Sequence, residues 1–216
     1  MTNPCTLSAS SLAALISAGE LSAVEVVQAH IDRIEAVDGR LNAMVFRRYD
    51  AARAEARDID RRRMAHEALP PLAGVPVTIK DCLDLAEAPS TFGLSARVGV
   101  NADGDEVHVG RVRAAGAIVL GKTNVSQLLI FVETDNPVFG RTNNPWNLSR
   151  TCGGSSGGEA AILAAGGSAL GLGTDIGGSL RYPAAFCGIS SLKPTAGRCP
   201  DPVSYTHLTL PTNREV

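Results

Sequence analysis

The sequence predicts an α/β fold, one domain built around a largely buried sheet. Three observations carry this. Helix-like stretches alternate with short apolar runs along the 216 residues, those runs are rich in β-branched residues, and no internal repeat breaks the pattern.

Taken in order, a short helix closed by Gly19 comes first. Ser22 and Glu25 then form a capping box that opens an amphipathic helix to about Val37. LNAMVF (41–46) reads as a strand, and residues 49–67 as a long helix rich in Arg and Ala. GVPVTIKD (74–81) is a β-branched strand that ends in Lys80 and Asp81. Helix signals return at 106–115, followed by a buried strand, AIVL (117–120). RTNNPWNLSRT (141–151) reads as a loop on its Asn, Pro and Ser content. Behind CGGSSGGE (152–159) lies a helix-like AAILAAGG, and SLRYPAAFCG (179–188) opens another helix.

Composition excludes several function classes. A net charge of -2 and 44% hydrophobic residues describe an ordinary globular protein without the basic surplus of a nucleic-acid binder. The densest basic run, 61–63, is interleaved with Asp58, Asp60 and Glu67 and reads as a solvated helix face. No apolar run approaches the length of a membrane span, and MTNPCTLSAS lacks the features of a signal peptide. Five cysteines, an odd number without a CxxC pair, point to reduced thiols in a cytoplasm. The final stretch, VSYTHLTLPTNREV (203–216), breaks with the preceding style and resembles translated sequencing adapter. It is expected to be a non-native tail, which makes 1–202 the N-terminal part of one domain; a genuine terminal peptide is the alternative.

Two motifs mislead. GAIVLGKT (116–123) fits the P-loop pattern, but its AIVL is itself the strand, so no loop remains to cradle phosphate. Gly171, Gly173 and Gly177 are spaced GxGxxxG, which is not the dinucleotide fingerprint. His30, His66 and His108 lie in unrelated segments and read as helix-surface residues, so no metal site is expected.

What remains is Lys80, Ser155 or Ser156, and Ser179. Seventeen of the 20 cationic residues are Arg, and a Lys, unlike Arg, can lose its proton and act as a base. A serine hydroxyl needs such a base, no histidine lies near either glycine-rich turn, and a second hydroxyl can relay the proton. In DIGGS, glycines leave successive N–H groups open to a substrate carbonyl. Each stretch alone is accounted for by a turn, and Ser155 by a helix N-cap. Two of them with a strand-end lysine point to catalysis.

CGGSSGGEAAILAAGGSALGLGTDIGGSLRYPAAFCGISSLKPT resembles the signature segment of the amidase signature family. GVPVTIKD is similar to that family's catalytic-lysine strand, and TDNPVFGRTNNPWNLSRT to its lead-in loop; the similarity runs over about residues 7–198. The resemblance implies a mixed central sheet sandwiched by helices, with the C-terminal part missing, and amide hydrolysis by a Ser–cis-Ser–Lys triad without a cofactor. It makes Ser179 the nucleophile, Ser155 the bridging serine on a cis peptide after Gly154, and Lys80 the base. The amides of Ile176, Gly177, Gly178 and Ser179 become the oxyanion hole, supported by Ser156, Asp175 and Arg181. Cys152 and Ser191 depart from the family pattern without touching these groups. The implied partner is a small amide, with no nucleic acid or membrane and with a homodimer left open. Two alternatives stand beside the free-standing amidase, towards which Glu159 leans. One is the glutaminase subunit of a tRNA-dependent amidotransferase. The other is an inert truncated fragment, since family members are about twice this length.

Overall fold

The protein is described by a computed structural model over residues 3–86, 88–195 and 197–199; the expected non-native tail lies outside the described residues. Helix α1 (Ala9–Ala18) starts at Ser8, whose side chain accepts from Ser11 N, and closes on Gly19 at φ 75°. Helix α2 (Ala23–Leu41) opens with the predicted capping box: Ser22 Oγ accepts from Glu25 N at 3.1 Å, and Ser22 N donates to Glu25 Oε2 at 2.9 Å. It runs four residues past Val37, until Asn42 turns left-handed. Strand β1 (Met44–Arg47), helix α3 (Tyr49–Met64), strand β2 (Pro76–Lys80), helix α4 (Val107–Ala114) and strand β3 (Ile118–Thr123) follow. Of these, α3, β2 and α4 lie within their expected segments, whereas β1 runs one residue past its expected end and β3 three residues past Leu120.

The expected loop at 141–151 is instead a hairpin of β4 (Asn143–Asn144) and β5 (Asn147–Thr151). Its side chains are polar because it forms a separate ribbon, with β5 mostly exposed, so apolar alternation never marks it. Helix α5 (Gly157–Ala164), strand β6 (Leu170–Leu172) and helix α6 (Arg181–Cys187) complete the described fold.

The central sheet is mixed, ordered β1–β3–β2–β6. Strand β1 is antiparallel to β3, whereas β3 and β6 both run parallel to β2. Every residue of β2 and β3 is buried, as expected for strands inside a sheet that carries helices. Helix α3 packs on β3, and α5 on β2 and β6. The parallel pairing brings the ends of β2 and β3 together, Lys80 opposite Thr123, directly beneath the first turn of α5.

His30 does not lie on a helix surface. It is buried with Val26, Val27, Ile31 and Ile34, and its Nδ1 is 2.8 Å from Val26 O. Spaced four residues from Val26 and from Ile34, it belongs to the apolar stripe of α2. His66 is exposed past the end of α3, and His108 sits beside Glu106. Arg61 and Arg62 pair with Asp58 and Glu67 on the solvated face expected. Asp60 is instead buried and accepts from Ala23 N at 2.8 Å and Val24 N at 3.1 Å at the start of α2, with Arg63 4.0 Å away. Among the described residues no helix is long and apolar enough to cross a membrane, and no cluster of His, Cys, Asp or Glu is placed to hold a metal ion.

Candidate active site

Lys80 ends a wholly buried strand, and its own exposure is 0%. Its Nζ donates to Ser155 Oγ at 2.7 Å and to Thr174 Oγ1 at 2.8 Å. Burial lowers its pKa from 10.5 to about 8, against the opposing pull of Cys82, Asp175, Glu159 and Asp81. A neutral lysine is therefore within reach near physiological pH, and a hydroxyl oxygen is already seated on it.

Ser155 is buried, and the peptide before it, Gly154–Ser155, is cis. It is not a helix N-cap. Ser156 occupies that position without a side-chain cap bond. The first amides of α5 are satisfied from elsewhere: Gly157 N donates to Thr134 Oγ1 at 3.0 Å, and Gly158 N to Asn124 O at 3.2 Å. Both serines of the first stretch are thereby released from capping. Ser156 instead joins the two glycine-rich segments, with its N donating to Ser179 O at 3.2 Å and its Oγ to Thr174 O at 3.3 Å.

The second segment is organised by Asp175. One oxygen accepts from Gly178 N at 2.8 Å and Arg181 Nη2 at 2.9 Å; the other accepts from Leu180 N at 3.1 Å and Arg181 Nε at 3.0 Å. The bidentate Arg181 guanidinium holds the Asp175 carboxyl well below the usual carboxylate range. Gly178 has φ 121°, and a Cβ there would run into the Tyr182 ring, so only glycine fits. A Cβ at Gly177 would meet nothing within 4 Å. The turn faces open space.

The predicted residues thus come together in two groups. Lys80 and Ser155 touch, and Ser156, Asp175 and Arg181 brace the loop that carries Ser179. Among the described residues no hydrogen bond joins the Ser179 and Ser155 hydroxyls. Of the four amides singled out, Gly178 N is engaged by Asp175, while those of Ile176, Gly177 and Ser179 have no acceptor among the described residues. Sequence reasoning missed Thr174, which takes the second Lys80 hydrogen bond from 94 residues away. Its place immediately before Asp175 was the available signal.

The profile of the family described as Amidase matches residues 25–207. The chain belongs to the amidase family. It is 47% identical over 197 residues to the A-subunit of the glutamyl-tRNA(Gln) amidotransferase of Salinispora tropica, across 91% of this chain and 40% of that one. It is 46% identical over 205 residues to fatty-acid amide hydrolase 2-B of Danio rerio, across 91% of this chain and 39% of that one. The solved structure of native peptide amidase from Stenotrophomonas maltophilia superposes with a TM-score of 0.80 at 35% identity, over 84% of this chain and 39% of that one. The chain therefore spans about 40% of the length of the curated relatives it matches.

Proposed function

We propose that the protein is an amidase, hydrolysing the C–N bond of a small carboxylic amide through an acyl-enzyme on Ser179. The 2.7 Å bond from the buried Lys80 Nζ to Ser155 Oγ is the observation that carries this reading. Neutral Lys80 accepts the Ser155 proton while Ser155 accepts that of Ser179, whose oxygen attacks the amide carbonyl. The free amides of Ile176, Gly177 and Ser179 receive the developing oxyanion, each donor contributing about 3 kcal/mol in comparable sites. The proton then returns through Ser155 to the departing amine, and water releases the acid by the same relay. The five free thiols fit a reducing cytoplasm, and a homodimer is as compatible with this chemistry as a monomer.

An alkyl fluorophosphonate should form an adduct on Ser179 that disappears in Ser179→Ala. An adduct that survives this substitution overturns the assignment. No adduct in a protein with a cooperative melt favours the reading of the chain as inert. The similarity to the S. tropica amidotransferase favours a second reading, a glutaminase that feeds ammonia to a partner. Glutamine hydrolysis that depends on a co-purifying protein would decide for it.

A further inference from the structure

Glu159 has no part in the chemistry above, yet it is 3% exposed in the first turn of α5. A carboxyl is seldom buried without a purpose for its bonds. Its Oε1 accepts from Thr78 Oγ1 and its Oε2 from Thr123 Oγ1, the latter at 2.7 Å. Thr78 lies two residues before Lys80 on β2, and Thr123 is the β3 residue paired with Lys80. All three therefore share the sheet face that carries the base. The neighbouring strand makes room for the carboxyl: Gly171 of β6 pairs with Thr78, and a Cβ there would fall on Glu159 Oε1. One side chain thus ties β2 and β3 to the helix that begins two residues after Ser155.

Resting on the catalytic reading above, we propose that Glu159 is a positioning residue for the base and its relay, fixing the distance between Lys80 and Ser155 by bolting α5 to the two strands beneath it. Loss of this link lets α5 and its leading serines drift from the strand, and displacements near 1 Å at a reacting pair cost up to about 100-fold in rate. The charge adds a second effect. The ionised carboxylate draws a proton towards Lys80, as Asp81, Cys82 and Asp175 do from their own elements, and burial raises the Glu159 pKa to about 7. Lys80 is the charged group facing Glu159; its other neighbours there are the two threonine hydroxyls.

The test is the rate of Ser179 labelling by an alkyl fluorophosphonate as a function of pH, which needs no knowledge of the natural amide. Glu159→Gln should label about tenfold more slowly at high pH, with the acid limb of its profile moved to lower pH. Thr123→Val keeps the shape while removing one bond to the carboxyl, and guards against failure of the first variant to fold. It should slow labelling by a smaller factor without moving the acid limb. Wild-type rates and an unmoved limb in Glu159→Gln overturn the proposal, as does an unchanged rate in Thr123→Val if Glu159→Gln does not fold. Absence of a Ser179 adduct in the wild-type protein overturns the catalytic reading itself, and the proposal with it.

Discussion

Lys80 and Lys122 make a natural pair of controls. They occupy adjacent strands, both are fully buried, and burial lowers the pKa of both. Lys122 pairs with Ile79, one residue before Lys80, so the two side chains leave opposite faces of the sheet. Lys122 Nζ donates to Pro89 O at 2.6 Å and Ser90 Oγ at 2.8 Å, with Asp81 nearby favouring its charge. Lys80 donates to two hydroxyls, one of which lies at the start of a glycine-rich turn. Burial by itself does not make a base. Both lysines meet a serine hydroxyl, so what sets them apart is where that hydroxyl leads. Ser155 is followed by Ser156, which is bonded to the segment carrying Ser179, whereas Ser90 shares Lys122 with the carbonyl of Pro89.

This contrast can be broken in three ways. The largest expected effect is on Lys80→Met, which should reduce Ser179 labelling by about three orders of magnitude or more. Lys122→Met should leave the labelling rate close to wild type, and equal losses in the two variants would refute the division of roles. The next effect is the pH dependence: labelling of the wild-type protein should fall about tenfold per pH unit below the Lys80 pKa of about 8. A profile that stays flat from pH 6 to 9 would remove Lys80 as the base. The smallest effects concern stability. Lys122→Met leaves Pro89 O and Ser90 Oγ without their donor, at a cost of about 1–3 kcal/mol measurable by urea unfolding. In the wild-type protein the unfolded chain holds the Lys80 proton up to 10.5 and the folded chain only to about 8, so this group makes stability rise with pH between those values. Lys80→Met should flatten that rise.

Much of this was legible in the letters. Lys80 stands out because lysine is rare here and it ends a β-branched strand, and the glycine-flanked serines announce backbone in close approach. Helix α2 could be read from its capping box, though not its last turn, because the left-handed Asn42 carries no apolar signal. The hairpin at β4 and β5 was hidden by its polar residues, and His30 by the habit of treating histidine as a surface residue although its spacing put it among Val26 and Ile34. Thr174 carried only the signal of its place before Asp175, and its contact with Lys80 spans 94 residues. The engaged amide of Gly178 follows from how a single carboxylate, Asp175, folds the loop around itself, and hydrogen-bond direction is written in no local pattern.

That loop behaves as a bracketed cassette. Asp175 and Arg181 clamp its two ends, while between them Ile176 is 66% exposed and Gly177 has open space where a side chain would stand. On the function proposed above, the groups offered to a substrate there are main-chain amides, which every residue except proline supplies. Positions 176 and 177 are thus the natural places to build a library: their side chains can be exchanged to alter what the site admits, while the frame that aims the amides is set by residues on either side.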